Sequence, residues 1–285
     1  MNKNLDIKNK RILLIAPHPD DEVIACGGFI AKYHNQIDVL CINSSGVKYN
    51  TDSYSAEEIA QIRCNEFKEV MKQANVHDYD ITKIWGTPPM IEKIELNIEH
   101  YMTRFNFSSY DIILVPHSDD NHIEHKYVGN ILLKKILKKQ KYKKNLIIMR
   151  YELWTPMLFP NYYEDITDFI DDKIRLINLY KSRLPSHYAE RILGLNKYRT
   201  LTSYFFNSEK FVEAYFIESV KNYMENDKMK IFKKIFSITN EYSNHKKHKV
   251  ITFFNLKFKF RVKEKRNAQN ACGCRERESN PSNCL

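Results

Sequence analysis

The sequence has little of what marks several common protein classes. It contains 7 glycines and 9 prolines among 285 residues, too few for a collagen-like or broadly disordered chain. No apolar run approaches the roughly 20 residues of a membrane-spanning helix. The first apolar stretch, Ile12 to Ala16, is too short for the core of a secretion signal. We therefore expect a globular, cytoplasmic protein.

The cysteines are also few, and their positions argue against a disulfide framework. Three of the 6 lie in apolar or helical stretches, as small core residues do. The other three, including Cys272 and Cys274, lie in a polar terminus without a second cysteine pair or a histidine nearby. They are weak evidence for a zinc site, and reduced thiols are expected.

The net charge of +10 is concentrated at one end of the chain. Residues 226–285 hold 15 Lys/Arg and 5 Asp/Glu, so the preceding residues are neutral as a set. Because these preceding residues carry no net positive charge, they are not expected to attract the phosphate backbone of nucleic acid. We expect a main domain over 1–217, a basic extension over 218–266 and a disordered tail over 267–285. No specific nucleic-acid partner is expected, because the tail carries no recognisable motif.

Strand and helix patterns alternate through the first half of the chain. Short apolar runs predict buried strands, and longer segments with helical spacing separate them. This order predicts an α/β fold, a Rossmann-like three-layer sandwich with a mostly parallel sheet, and a basic appendage at its C-terminal end. The predicted strands are 11–16, 37–43, 81–85, 111–115 and 146–149, and the predicted helices are 23–33, 56–74, 91–105 and 127–138.

Two loops that follow predicted strands concentrate carboxylates and imidazoles. The first strand runs into Pro17 to Glu22 (PHPDDE), and the fourth ends at Pro116 to His125 (PHSDDNHIEH). Ligands of such folds collect beyond the carboxyl ends of the strands, and adjacent carboxylates repel unless a cation compensates them. Histidine nitrogen with one or two carboxylates is the ligand set of catalytic zinc. His18 and Asp21 are candidate ligands, with a third from His122 or His125.

Each loop also has a simpler interpretation. Asp20 or Asp21 could cap the helix that follows, since aspartate is common at that place. His122 and His125 could be solvated side chains on the first turn of a helix. For one loop alone we weigh these alternatives evenly, whereas both loops at corresponding strand ends favour the metal site.

The motifs resemble the PIG-L/LmbE-like family of zinc-dependent N-acetylglucosaminyl de-N-acetylases. The first loop fits that family's [AP]-H-P-D-D-E signature, Arg63 to Glu66 fits R-x-x-E, and Asp120 to His125 fits D-x-H-x-D-H. Glu124 stands there where the family usually has aspartate. Later similarities, up to about residue 217, are Pro160-Asn161, Asp165 to Thr167, Lys173, Lys181-Ser182 and Val212 to Phe216.

The resemblance implies roles for individual residues. It implies His18, Asp21 and His125 as ligands of Zn²⁺ or another divalent metal, and Asp20 as the general base that activates water. His122 would stabilise the oxyanion or protonate the leaving amine, and Asp120 would orient it. A further pair would bind the substrate's hydroxyls or a phosphate: Arg63 and Arg150.

The expected function is removal of an acetyl group from an N-acetylated amino sugar or sugar conjugate, in glycan or glycolipid biosynthesis. The alternative is a catalytically silent metal- or carbohydrate-binding module of the same fold. A nucleotide-binding Rossmann protein is disfavoured, because the first strand–helix turn lacks G-x-G-x-x-G and carries carboxylates where a pyrophosphate would lie.

The basic extension has two sequence patterns of its own. Asp227 to Ile238 has helical spacing of apolar residues with lysines between them, which predicts a helix that packs on the body or contacts the inner membrane face. If the helix contacts the membrane, we expect a lipid-linked sugar as the substrate. A nucleotide-linked sugar is the alternative conjugate. Leu256 to Lys263 alternates as a strand, with a partner expected in Val250 to Phe254.

Overall fold

The structure is a computed structural model, and it describes five segments in full: 5–44, 54–85, 90–182, 187–203 and 210–225. For 236–243, 246–253 and 256–261 it describes the backbone of three strands. The chain divides into one compact unit, Met1–Glu225, and a second, Asn226–Leu285. None of the helices in the fully described segments has the length and apolar content that a bilayer crossing requires.

The described residues of the first unit include seven strands and eight helices, which alternate through most of the unit. The strands are β1 Ile12–Ala16, β2 Ile37–Cys41, β3 Asp78–Ile81, β4 Ile112–Pro116, β5 Ile147–Tyr151, β6 Tyr162–Asp165 and β7 Val212–Ser219. The helices are α1 Asp21–Tyr33, α2 Ala56–Gln73, α3 Met90–Leu96, α4 Ile98–Arg104, α5 Ile123–Tyr127, α6 Leu133–Lys139, α7 Ile170–Ile177 and α8 Tyr188–Thr202.

The seven strands form one sheet in the order β3-β2-β1-β4-β5-β7-β6. The first five strands are parallel, and β7 pairs antiparallel with both β5 and β6. The strand order reverses between β1 and β4, so the loops after these two strands lie beside each other at one sheet edge. The predicted α/β fold with a mostly parallel sheet is confirmed.

Two apolar clusters, one on each face of the sheet, form the core. Alternate residues of β1 point to opposite faces, with Ile12 and Leu14 in one cluster and Leu13 and Ile15 in the other. The first cluster includes residues of α1, α2 and α7, and the second includes residues of α3, α4 and α6. Strands buried on both faces need continuous apolar runs, which is why the sequence pattern located them.

Helix α1 is kinked, and the distant strand β7 holds the kink. Cys26 has φ −126° and ψ 20°, which breaks the helical pattern inside α1. The Glu213 carboxylate accepts the backbone N–H groups of Gly28 and Phe29, each at 2.9 Å. Lys173 donates to the same carboxylate at 2.6 Å, and both side chains are fully buried. The middle of α1 is therefore fixed to β7 and α7 by a buried ion pair.

Two expected elements of the first unit lie elsewhere. The third strand is β3, Asp78–Ile81, rather than 81–85, because an edge strand paired only with β2 needs no continuous apolar run. The helix expected over 127–138 begins at Ile123 and contains a π-helical turn at Val128–Leu132. In that turn an added Cβ on Gly129 would meet the carbonyl oxygen of Pro116 at 2.2 Å.

The second unit contains a three-stranded antiparallel sheet of β8 Phe236–Ser243, β9 Lys246–Phe253 and β10 Leu256–Arg261. The predicted strand over 256–263 is present as β10, and it pairs with β9. The helix predicted over 227–238 is wrong in its last three residues, where apolar and polar residues alternate and pair as β8. Its other residues, and the tail over 267–285, lie outside the described part of the chain. The compact first unit includes Val220 and Tyr223 in its core, beyond the expected boundary at 217.

Candidate active site and metal centre

The turn from β1 into α1 holds Asp20 in an unusual backbone conformation. Asp20 has φ 107° and ψ −32°, a region that side-chain-bearing residues rarely adopt. Its carboxylate makes no capping hydrogen bond to α1, so the interpretation of Asp20 as a helix cap is not supported. Strain of this kind, about 1–3 kcal/mol, is typical of functional sites held in place by their surroundings.

Arg63 of α2 is the residue that holds this turn. Its Nη2 atom donates to the carbonyl oxygen of Pro19 and lies 3.3 Å from Oδ2 of Asp20. Arg63 is 2% exposed. Its guanidinium is therefore buried against the turn, and the substrate contact expected from the sequence stays a prediction.

Three predicted ligand atoms meet beside this turn. Oδ2 of Asp21 lies 3.0 Å from Nδ1 of His18 and 3.1 Å from Nε2 of His125. The two histidine nitrogens are 3.3 Å apart. Ligands about 2.0–2.1 Å from a tetrahedral zinc ion are roughly 3.3 Å from one another. The donor set and the spacing of these three atoms therefore fit a small divalent metal ion.

His125 and Asp21 are fully buried, and their charges are coupled. Burial alone would raise the pKa of Asp21, but the charges of His125 and His18 lower it below its usual range. Burial alone would lower the pKa of His125, but Asp21 and Asp120 raise it to about 10. The carboxylates thus favour positive charge at this point, which is also what a bound cation would supply.

Asp120 holds the loop between β4 and α5 through contacts with backbone amides and with the ring of His125. Its Oδ1 atom accepts the backbone N–H of His122 at 2.8 Å, and Oδ2 accepts that of Trp154 at 3.1 Å. Oδ1 also lies 3.4 Å from Nδ1 of His125. Asp120 was expected to orient the His122 side chain. In the structure it contacts the backbone of His122 and the ring of His125.

His122 immediately precedes α5. It lies beside the three ligand atoms of His18, Asp21 and His125, which we call the ligand triangle. One nitrogen from each of His18, His122 and His125 lies within 4.8 Å of the others. Among the described residues, Nδ1 of His122 is buried without a hydrogen-bond partner. Burial, followed by the charges of His18 and His125, lowers the pKa of His122. His122 therefore lies beside the ligand atoms and has one buried ring nitrogen that no described residue pairs.

Two residues in contact with the site had no assigned role from the sequence. Oε2 of Glu124 lies 2.6 Å from Nε2 of His18, and the Asn43 side chain donates to the same oxygen at 3.1 Å. Asn43 follows β2 and is fully buried. The position of Asn43 beyond a strand end was a signal for a site residue, but no motif marked it.

Glu22 completes the buried polar network under the turn. Burial is the largest cause that raises its pKa, to about 8, and the neighbouring Asp20 acts in the same direction. The Tyr180 hydroxyl donates to one carboxyl oxygen, and the backbone N–H of Asp20 contacts the other at 3.1 Å. Glu22 therefore contacts the backbone of the turn, and its raised pKa means that it adds little negative charge at neutral pH.

Arg150, the second residue expected to bind substrate, makes its observed contacts inside the fold. It lies on β5, and its Nε atom donates to Glu218 of β7 at 2.7 Å. Its guanidinium carbon lies 5.0 Å from the centre of the Tyr223 ring, and the residue is 6% exposed. Arg150 thus pairs with a neighbouring strand inside the fold, and its expected substrate contact stays a prediction.

Residues 13–136 match the sequence profile of the PIG-L family, GlcNAc-PI de-N-acetylase. The chain carries a PIG-L domain. The match includes both loops of the ligand triangle, and it confirms the resemblance inferred from their motifs. The comparison with curated proteins found no match.

Solved structures share the fold of this PIG-L domain and its flanking strands. N,N′-diacetylchitobiose deacetylase from Pyrococcus horikoshii is 21% identical, with 77% of this chain and 89% of that chain covered and a TM-score of 0.63. GalB, the 4-carboxy-2-hydroxymuconate hydratase from Pseudomonas putida KT2440, is 18% identical over 74% and 96%, with a TM-score of 0.57. A deacetylase of the teicoplanin biosynthetic pathway is 12% identical over 74% and 99%, with a TM-score of 0.53. At such identities the likeness concerns the fold.

Proposed function

We propose that the protein is a zinc-dependent hydrolase that removes the acetyl group from an N-acetylated amino sugar or sugar conjugate. The observation that carries the proposal is the triangle of His18, Asp21 and His125 atoms, 3.0–3.3 Å apart, next to Asp20 and His122. The PIG-L match and the two deacetylases among the structural neighbours agree with this reaction type.

His18, Asp21 and His125 would hold the metal ion. Bound there, a zinc ion lowers the pKa of a water molecule and polarises the acetyl carbonyl. The donor set of two imidazoles and one carboxylate is typical of catalytic zinc, which keeps further positions open.

Asp20 would act as the general base. Asp20 comes immediately before the proposed ligand Asp21 in the chain, and Arg63 contacts its carboxylate. It accepts a proton from the attacking water as the C–O bond forms. A carboxylate of low basicity is adequate here, because a nucleophile of lowered pKa requires only a weak base.

His122 would stabilise the oxyanion or protonate the leaving amine. A ring N–H of His122 would donate a hydrogen bond to the developing oxyanion; in its protonated form the ring would instead give its proton to the amine nitrogen as the C–N bond breaks. The buried Nδ1 of His122 supports this role, because it has no hydrogen-bond partner among the described residues, whereas both ring nitrogens of His18 lie within 3.0 Å of a carboxylate oxygen.

The substrate would be a soluble or lipid- or nucleotide-linked N-acetyl sugar, in the cytoplasm or at the inner membrane face. The basic C-terminal extension supports a peripheral membrane contact through its charge. Flotation with anionic vesicles compares the full chain with a chain that ends at Glu225. Equal flotation of the two would count against this contact.

The deciding experiment measures free amine and acetate from a panel of N-acetylhexosamine conjugates. We expect turnover by the full-length protein, loss of turnover on chelation, and its return with zinc. A protein that binds zinc and the sugars but releases no acetate would instead be a silent binding module. A hydratase activity without amide cleavage would assign this chain to the chemistry named for one structural neighbour.

A further inference from the structure

The two ring nitrogens of His18 face different groups. Nδ1 faces Oδ2 of Asp21 at 3.0 Å and Nε2 of His125 at 3.3 Å, in the ligand triangle. Nε2 faces Oε2 of Glu124 at 2.6 Å. A carboxylate only accepts hydrogen bonds, so the short contact places the proton of a neutral His18 ring on Nε2. Nδ1 is then left with its lone pair toward the triangle.

Glu124 is itself held in place. The Asn43 side chain donates to the oxygen of Glu124 that contacts His18, at 3.1 Å. The backbone N–H of Asn43 donates to the carbonyl oxygen of Pro17 at 3.1 Å, next to His18. Asn43 is fully buried, and the Glu124 side chain is 14% exposed. The end of β2, the β1 turn and the start of α5 are thus joined through one carboxylate.

We propose that Glu124 and Asn43 form a positioning pair that fixes the His18 ring as its Nε2–H tautomer and presents Nδ1 as the metal ligand. The inference rests on the proposed metal role of His18. Carboxylates and amides that hold a ligating histidine in this way contribute about 10–100-fold to metal affinity. Neither residue touches substrate in this scheme; both act through His18.

The length of the Glu124 side chain matters to this contact. Aspartate at the same place is shorter by one methylene, so its carboxylate would fall short of Nε2 of His18. Glutamine keeps the length and offers a carbonyl oxygen as an acceptor. If positioning of His18 is the role, Glu124→Gln should retain more zinc affinity than Glu124→Asp, although aspartate keeps the charge.

The test measures zinc affinity by competition with a chromophoric chelator, using the full-length protein. We expect Glu124→Met to lose about 10–100-fold in affinity, Glu124→Asp to resemble it, and Glu124→Gln and Asn43→Ala to lose several-fold. Glu95→Met is the matched control, because Glu95 contacts Tyr127 and Lys135 and none of the ligands. It should stay within about twofold of the natural protein, and thermal unfolding confirms that each variant is folded.

A spectroscopic readout separates positioning from general stability. In zinc-loaded protein with ¹⁵N-labelled histidine, we expect one slowly exchanging, downfield Nε2–H resonance that Glu124→Met removes and Glu124→Gln retains. Unchanged affinity and an unchanged resonance in Glu124→Met would overturn the inference and leave the proposed function intact. A natural protein that binds no zinc would overturn both. Glu124→Asp with natural affinity would overturn the role assigned to the contact with His18.

Discussion

The Nη2 atom of Arg63 lies 3.3 Å from Oδ2 of Asp20, with both residues almost completely buried. The same atom donates to the carbonyl oxygen of Pro19, so one guanidinium holds two successive residues of the β1 turn. The buried cation offsets the charge of Asp20 and keeps this residue at its positive φ. Arg63 therefore determines where the proposed general base lies.

Replacing Arg63 should destabilise the protein and lower its activity. Arg63→Met leaves the Asp20 carboxylate buried without its guanidinium, which costs about 3–5 kcal/mol in comparable pairs. Urea unfolding measures the change. Arg175→Met is the control, because the Arg175–Asp172 pair is half exposed and should contribute less than about 1 kcal/mol. Equal stability changes in the two variants would contradict the structural role of Arg63.

Asp20→Asn should separate metal binding from turnover. Asp20 lies outside the ligand triangle, and asparagine tolerates a positive φ, so the zinc content should be unchanged. Loss of a general base should lower kcat by about 10²–10⁴-fold. His18→Ala, by contrast, should lose the metal itself. The roles would be wrong if elemental analysis found the same zinc loss in both variants.

His117 should make the folded state less stable in mild acid. Burial lowers its pKa below 6.5, and the neutral ring donates from Nε2 to the carbonyl oxygen of Thr155 at 2.6 Å and accepts from the Asp119 N–H at 3.3 Å. The resulting stability is complete above pH 6.5 and is lost as the pH falls through the lowered pKa. His117→Gln should remove this loss, worth at most about 1.4 kcal/mol per pH unit.

The measurement for His117 is urea unfolding of both proteins between pH 5 and 7.5, with chelator present throughout so that metal binding does not contribute. The variant has a lower stability at pH 7.5 in any case, so the slopes are compared rather than the values. Parallel curves would show that His117 does not contribute to the pH dependence.

Gly129 should tolerate no side chain. Its position in the π-helical turn would bring a Cβ to 2.2 Å from the carbonyl oxygen of Pro116, and backbone moves less readily than a side chain. Gly129→Ala should cost about 1–3 kcal/mol or more. Gly194→Ala on α8 is the control, because nothing lies within 4 Å of its added Cβ. It should be neutral or slightly stabilising, and thermal unfolding of the two variants would test the contrast.

Much of the fold was predictable because the central strands are buried on both faces. Continuous apolar runs located β1, β2, β4 and β5 within two residues at either end. The exceptions have physical causes. β3 is an edge strand with one buried residue in four, and the π-helical turn depends on the close approach of Gly129 to Pro116 rather than on any periodicity.

The site was predictable where chemistry depends on residue type at close spacing. Residue type and spacing indicated His18 and Asp21, with His122 or His125 as the third ligand, and the family resemblance selected His125. The structure places one atom of each of His18, Asp21 and His125 within 3.3 Å of the others. The ion pairs of the two arginines were not predictable, because charge in a sequence does not reveal its partner: Arg63 pairs with Asp20, and Arg150 pairs with Glu218. Those pairings depend on helix and strand contacts across the fold.

The kink in α1 links the two ends of the first unit. Gly28 and Glu213 are 185 residues apart in the chain, yet the Glu213 carboxylate takes the place of helical carbonyls for two amides of α1. The helix that follows the His18 turn is therefore anchored beyond its kink by β7, the last of the seven strands in the sequence. A chain that ends before β7 would contain every proposed ligand and still lack the contact that sets the direction of the helix behind them.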